Sequence, residues 1–100
     1  MKIPKRFDVV PRHDDATKWY LVIGPHCWGK GWLLQTAIRE CRKASGGTYQ
    51  PDRHTTVIYQ IDPESWVDGM GMIVTKPEGV RPKLLAAFKG ATRIPERLAK

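Results

Sequence analysis

The stretch that decides the fold is residues 20–31, YLVIGPHCWGKG, which run directly into residues 32–41, WLLQTAIREC. An apolar run, a glycine-bounded loop that carries a lysine, and an amphipathic helix follow one another without a gap. This order matches a phosphate-binding loop, in which G-x-x-x-x-G-K is followed by Ser or Thr. The match is incomplete, because Gly31 occupies the position of the hydroxyl that would coordinate Mg²⁺.

Two further residues of this segment argue against a nucleotide site. Pro25 lacks a backbone N–H, and Trp28 is bulky for a loop that must wrap closely around phosphates. A chain of 100 residues also holds few of the βαβ units, each about 30 residues long, on which nucleoside triphosphatases are built. We therefore expect the glycines to turn the chain and Trp28 to pack on a sheet. A weaker role stays open, in which Lys30 and the helix end contact one phosphate of a nucleic acid.

The helix after Gly31 has the clearest periodicity in the chain. Apolar residues recur at positions 34, 37, 38 and 41 on one face, and the Ser-Gly-Gly at 45–47 predicts its end. The sequence predicts four strands, two before this helix and two after it, at residues 7–10, 18–23, 55–61 and 70–75. The first two are expected to form a hairpin. A second helix is predicted over residues 81–90, with proline in its first turn and glycine at its end.

The predicted order is thus β-β-α-β-β-α. It indicates an α+β fold: one two-layer domain over residues 1–90, with a mostly antiparallel four-stranded sheet, followed by a basic tail over residues 91–100. The alternative is a right-handed βαβ unit, in which the strands on either side of the first helix pair in parallel.

Composition places the chain among folded proteins that work in the cytoplasm. It is 41% hydrophobic and 27% charged, with four tryptophans to fill a small core. No stretch approaches the roughly 20 apolar residues of a membrane span. The N-terminus lacks the apolar region of a signal peptide. The cysteines Cys27 and Cys41 fit that compartment as free thiols, and we do not expect a disulfide between the loop and the helix core.

The charge of the chain predicts a polyanionic or acidic partner. The formal net charge is +7, with an acidic stretch over residues 52–68 and a basic one over residues 76–100. Aromatic residues beside cations suit single-stranded nucleic acid, and the same combination of Trp and Arg is typical of protein–protein contacts. The residues expected to make the contact are Trp28, Lys30, Trp32, Arg39, Arg42, Lys43, Lys83, Lys89 and Arg93.

The leading hypothesis is a non-enzymatic basic binding module that contacts nucleic acid through the Gly-Lys loop, the first helix and the C-terminal tail. The alternative is an accessory or inhibitor protein, of the kind mobile elements encode, that occupies an acidic or nucleic-acid-binding site on a partner protein. A third hypothesis is an enzyme that uses Cys27 as a thiol nucleophile or Lys30 in a nucleotide site. His26, His54 and the cysteines lack the spacing of a metal site, so we expect no metal or cofactor.

Overall fold

The structure is a computed structural model that describes residues 4–11, 17–75 and 81–90. A 3-10 helix is formed by Lys5–Val9 and the single α-helix of these ranges, α1, by Leu34–Ala44. The six strands of the described residues are β1 Trp19–Ile23, β2 Trp28–Gly31, β3 Thr56–Ile61, β4 Trp66–Val67, β5 Ile73–Val74 and β6 Lys83–Phe88. Four of them form an antiparallel sheet in the order β2-β1-β3-β6, and β4 pairs with β5 in a separate ribbon.

This architecture confirms the predicted α+β fold. The helix packs on one face of a four-stranded sheet in which every pairing is antiparallel. The strands on either side of α1 are β2 and β3, and neither pairs with the other because β1 lies between them. The parallel βαβ alternative is therefore wrong.

Strand β1 lies in the centre of the sheet and is covered on both sides. Tyr20 and Val22 belong to the core beneath α1. Leu21 faces the opposite side, where it packs with Ile61 and with Val67 of the β4–β5 ribbon. Burial on both faces explains why this strand reads as an unbroken apolar run rather than as an alternation of apolar and polar residues.

Helix α1 begins and ends as its sequence indicates. Ala37, Ile38 and Cys41 are completely buried against the sheet. The helix ends at a pair of glycines with positive φ, 71° at Gly46 and 89° at Gly47, a conformation in which side chains are strained. The N–H of Gly47 donates to the carbonyl of Arg42 at 2.9 Å, so the glycines satisfy carbonyls that would otherwise lack partners.

Three segments differ from their predicted structure. Residues 7–10, predicted as a strand, lie mainly in the 3-10 helix, because Phe7 is buried with its ring centroid 4.9 Å from that of Phe88. The predicted helix over 81–90 is instead strand β6, which pairs with β3. The segment 28–31, predicted as part of a loop, is strand β2, which takes the place expected for residues 7–10 as the hairpin partner of β1.

The last predicted strand also differs from expectation in extent. Of the strand predicted over 70–75, only Ile73–Val74 is extended, and it pairs with Trp66–Val67 outside the main sheet. The predicted tail over 91–100 lies outside the described residues.

Candidate binding groove beside strand β2

The Gly-Lys-Gly sequence of β2 is built for close contact with α1. A Cβ on Gly29 would lie 2.1 Å from the backbone nitrogen of Cys41 and 2.5 Å from the carbonyl oxygen of Ala37. A Cβ on Gly31 would lie 2.7 Å from the side chain of Thr36. Both contacts are shorter than carbon atoms tolerate, so these two positions require glycine for the helix to reach the strand.

Lys30 leaves β2 on the other face of the sheet, as the alternation of side chains requires. Its ammonium donates hydrogen bonds to the carbonyl oxygens of Pro63 and Ser65, the latter at 2.8 Å. It also lies 5.9 Å from the ring centroid of Trp19. Burial lowers the pKa of Lys30, and the negative charge of Glu64 partly opposes that effect. The ammonium thus holds the 63–65 turn against the sheet.

These positions remove the geometry of a phosphate-binding loop. The segment between β1 and β2 is a tight hairpin turn, in which the N–H of Gly24 donates to the carbonyl of Cys27 at 2.8 Å. The lysine and the start of α1 lie on opposite faces of the sheet. The nucleotide-site interpretation of Lys30 therefore has no support in the fold, and the glycines serve packing instead.

Strand β2 is at the edge of the sheet and, among the described residues, pairs only with β1. Hydrogen-bonded and non-hydrogen-bonded pairs alternate along an antiparallel ladder. Because Gly24 and Cys27 form a hydrogen-bonded pair, the backbone groups of Trp28 and Lys30 point away from β1. The edge therefore offers backbone donors and acceptors to whatever lies beside it.

An open groove of about 790 Å³ follows this edge. Strand β2 and α1 form its walls, and the side chains that give it character are Trp19, Trp28, Trp32, Thr36, Glu40 and Lys43. Trp32 is 51% exposed, whereas Trp19 and Trp28 are half-buried against the apolar core under the β4–β5 ribbon. The groove therefore combines an aromatic surface with an ion pair, since Lys43 Nζ lies 3.8 Å from Glu40 Oε2.

The predicted site residues fall into separate groups. Trp28, Lys30, Trp32 and Lys43 line the groove. Arg39 and Arg42 are exposed on the same helix as Lys43. Lys83 and Lys89 are exposed at the opposite edge of the sheet, the first in β6 and the second directly after it. Strand β6 lies three strand spacings, or about 14 Å, from β2. Arg93 lies outside the described residues.

One basic residue with a structural role escaped the sequence analysis. Arg6 donates hydrogen bonds to the carbonyls of Pro51 and His54, the first from Nε at 2.8 Å. Its guanidinium also lies 5.2 Å from the ring of Phe7 and 5.3 Å from that of Phe88. Arg6 thereby ties the 3-10 helix to both the 51–54 turn and β6. Nothing in the local sequence distinguishes it from a solvated arginine.

The candidate catalytic and metal-binding residues contact other side chains of the protein. Cys27 and Cys41 are both buried, with their sulfurs 3.1 Å apart. Their hydrogen bond and burial raise the pKa of the Cys41 thiol. Asp62, an acidic residue directly after β3, forms an ion pair with Lys18 at 2.5 Å. Within residues 4–11, 17–75 and 81–90, no three His, Cys, Asp or Glu side chains are arranged to hold a metal ion.

Comparison with protein-family models, with characterised proteins and with solved structures finds no significant match. In the described part of the chain, α1 is too short and too polar to cross a membrane.

Proposed function

We propose that this protein is a small non-enzymatic binding module that takes single-stranded nucleic acid into the groove beside β2. The observation that carries the proposal is the position of Trp32, which is half-exposed in the groove that Lys43 also lines. An exposed aromatic ring offers a surface on which a base can stack, a contact that contributes about 1–3 kcal/mol per base.

The exposed face of α1 supplies the charge that such a ligand needs. Arg39 and Arg42 stand on the same helix as Lys43, and neither forms an ion pair with an acidic side chain of the described residues. Neither arginine lines the groove, so the proposal requires a strand whose bases stack on Trp32 to continue over the outer face of α1, where its phosphates would meet these cations. The net charge of +7 favours association with any polyanion over longer distances.

The proposed interface is smaller than the one expected from the sequence. Lys30 lines the groove but contributes no phosphate contact to the proposed interface, because its ammonium already donates to the carbonyls of Pro63 and Ser65. Lys83 and Lys89 are too distant to share the groove. The proposal therefore rests on Trp32 and the cations of α1, with Trp28 shaping the floor of the groove.

The test is the binding of labelled single- and double-stranded oligonucleotides across a salt series. We expect Trp32→Ala to weaken single-strand binding about 5- to 150-fold. The double variant Arg39→Gln/Arg42→Gln should lower the slope of log K against log salt by about 1.4, or about 0.7 for each phosphate that is no longer neutralised. The matched control is Lys83→Gln/Lys89→Gln, which removes the same charge from the other edge and should leave the slope unchanged.

Two outcomes would overturn the proposal. One is the absence of oligonucleotide binding at low salt, or binding that does not depend on salt. The other is an equal reduction of slope in the control variant, which would mean that net charge alone, rather than the groove, drives association.

A second candidate is the protein-binding accessory or inhibitor, favoured specifically by the outer edge of β2, which has no strand partner among the described residues. A partner could add an extended segment to that edge, using the outward backbone groups of Trp28 and Lys30. This candidate predicts a specific protein in a pull-down. The variant with reversed charges at Arg39, Arg42 and Lys43 should fold normally, and loss of capture only on changing Trp28 or Trp32 would favour this candidate over nucleic acid. Capture that changing Trp28 or Trp32 leaves intact would contradict it.

A further inference from the structure

The two cysteines of the chain meet inside the core from distant parts of the sequence. Cys27 ends the turn between β1 and β2, and Cys41 lies in the last half of α1. Their sulfurs are 3.1 Å apart, about 1 Å more than the length of a disulfide bond. Formation of the bond therefore requires the two sulfurs to approach each other by that distance.

The surroundings hold the pair together. A Cβ on Gly24 would lie 3.0 Å from Cys27 Sγ and 2.9 Å from the ring of Tyr49, so the turn is packed tightly around the thiol. Gly29 brings β2 against the backbone of Cys41 itself. The positions of both cysteines are therefore fixed by the same close contact that docks the hairpin on the helix.

We propose that Cys27 and Cys41 form a modification site, a dithiol that low-molecular-weight disulfides oxidise to an intramolecular disulfide in the folded protein. The inference concerns residues outside the proposed binding groove and does not depend on the function proposed for it. It differs from the expectation of two permanently free thiols, because the fold places in contact two residues that the sequence separates by 14 positions.

The reaction divides between the two sulfurs according to their exposure. Cys27 is 9% exposed and Cys41 is completely buried, so the thiolate of Cys27 attacks one sulfur of the oxidant. That step forms a mixed disulfide and releases one oxidant thiol. Cys41 then gives up its proton and attacks the sulfur of Cys27, which expels the second oxidant thiol. The protein loses two hydrogens and two electrons, and the oxidant disulfide becomes two thiols.

The raised pKa of Cys41 is consistent with this order. Its hydrogen bond to Cys27, followed by burial, keeps the proton on Cys41, which leaves Cys27 as the first nucleophile. The new bond would close a loop over residues 27–41 and join the hairpin turn to α1. A loop of that length constrains the unfolded chain enough to lower the unfolding constant about a hundred-fold.

The experiment treats the native full-length protein with oxidised glutathione and follows the intact mass, a peptide map and unfolding in urea. We expect a mass lower by two hydrogens, a cross-linked peptide pair containing residues 27 and 41, no retained glutathione, and an unfolding constant about a hundred-fold lower than that of the reduced protein. Cys27→Ser is the control. Its remaining thiol is shielded, so its mass should not change.

A second measurement tests the proposal without the Cys27→Ser variant. The equilibrium constant for oxidation by glutathione should be larger in native buffer than in denaturant. The ratio of these two constants should equal the factor by which the disulfide lowers the unfolding constant, because oxidation and unfolding form one thermodynamic cycle. A stable glutathione adduct, an intermolecular disulfide, unchanged mass, or a disulfide that forms more favourably in denaturant would each overturn the proposal.

Discussion

Gly29→Ala is the substitution that tests the packing of α1 on β2 most directly. The added Cβ would lie 2.1 Å from the nitrogen of Cys41, 2.5 Å from the carbonyl oxygen of Ala37 and 2.7 Å from the carbonyl carbon of Glu40. All three atoms belong to the helix backbone, so no side-chain rotation can relieve the contact. The helix must move away from the strand, by about 1.4 Å for the closest of these contacts to reach about 3.5 Å.

The cost of that movement follows from what the helix covers. Overpacking by a single methyl group commonly costs about 1–3 kcal/mol, and a displaced α1 also loosens Ala37, Ile38 and Cys41, which are fully buried. We expect Gly29→Ala to lower the free energy of unfolding by about 3 kcal/mol. Gly31→Ala should cost less, because the nearest atoms there belong to the side chain of Thr36.

The assay is urea unfolding followed by circular dichroism, with Gly69→Ala as the matched control. A Cβ on Gly69 meets nothing within 4 Å, and its φ is not positive. The same chemical change should therefore be neutral there, or stabilising by up to about 1 kcal/mol through the unfolded chain. The reasoning is refuted if Gly29→Ala and Gly69→Ala have the same stability, or if Gly31→Ala costs more than Gly29→Ala.

Three other outcomes follow from buried polar groups. Arg6→Ala should lower the free energy of unfolding by about 2–4 kcal/mol, because it strands two carbonyls of the 51–54 turn; a decrease below about 0.5 kcal/mol in urea unfolding would contradict this. Lys30→Met should reduce stability but leave oligonucleotide affinity unchanged, and a drop in affinity of the folded variant would restore Lys30 to the interface. Burial raises the pKa of Tyr49, and the hydrogen bond with Cys27 raises that of Cys41, from ordinary values of 10.0 and 9.0. The unfolded chain therefore loses these protons first, so the contribution of these two groups to stability should be constant below pH 9 and then fall by about 1.4 kcal/mol per pH unit and group. The lowered pKa of Lys30 has the opposite effect, because its contribution to stability rises with pH up to its ordinary pKa of 10.5. The slope of stability against pH is therefore best measured above pH 10.5, where Tyr49→Phe should reduce it.

The parts of the fold that could be predicted are those specified by neighbouring residues. The apolar face of α1 repeats every three to four residues, and the glycines that end it adopt the positive φ that their type allows. Strand β1 is a run of five residues between turns, all of them apolar or aromatic. In these segments the local preference and the final environment agree, so the sequence alone was sufficient.

Strand β6 shows why other parts could not be predicted. Leu84, Leu85 and Phe88 have the spacing of a helix face, and Pro82 stands where helices often begin. Pairing with β3 overrides that preference. Ile58 pairs with Ala86 and Tyr59 with Leu84, so Leu85 is an extra residue in β6. Leu84 is 55% exposed, whereas Leu85 and Ala86 both pack against the core. No local signal in residues 81–90 reveals their pairing with a strand more than twenty residues away.

The glycines and lysine of residues 29–31 show how one sequence pattern can satisfy two different physical needs. In a phosphate-binding loop, glycines let backbone N–H groups surround an anion, and the lysine points to the same anion. In a strand, side chains alternate, so Gly29 and Gly31 share the face toward α1 while Lys30 must point the opposite way. The distinction was present in the sequence as a spacing of two between the glycines, with the larger residues Trp28, Lys30 and Trp32 in the alternate positions. That alternation fits an edge strand pressed against a helix, in which the outward backbone groups of Trp28 and Lys30 have no strand partner among the described residues.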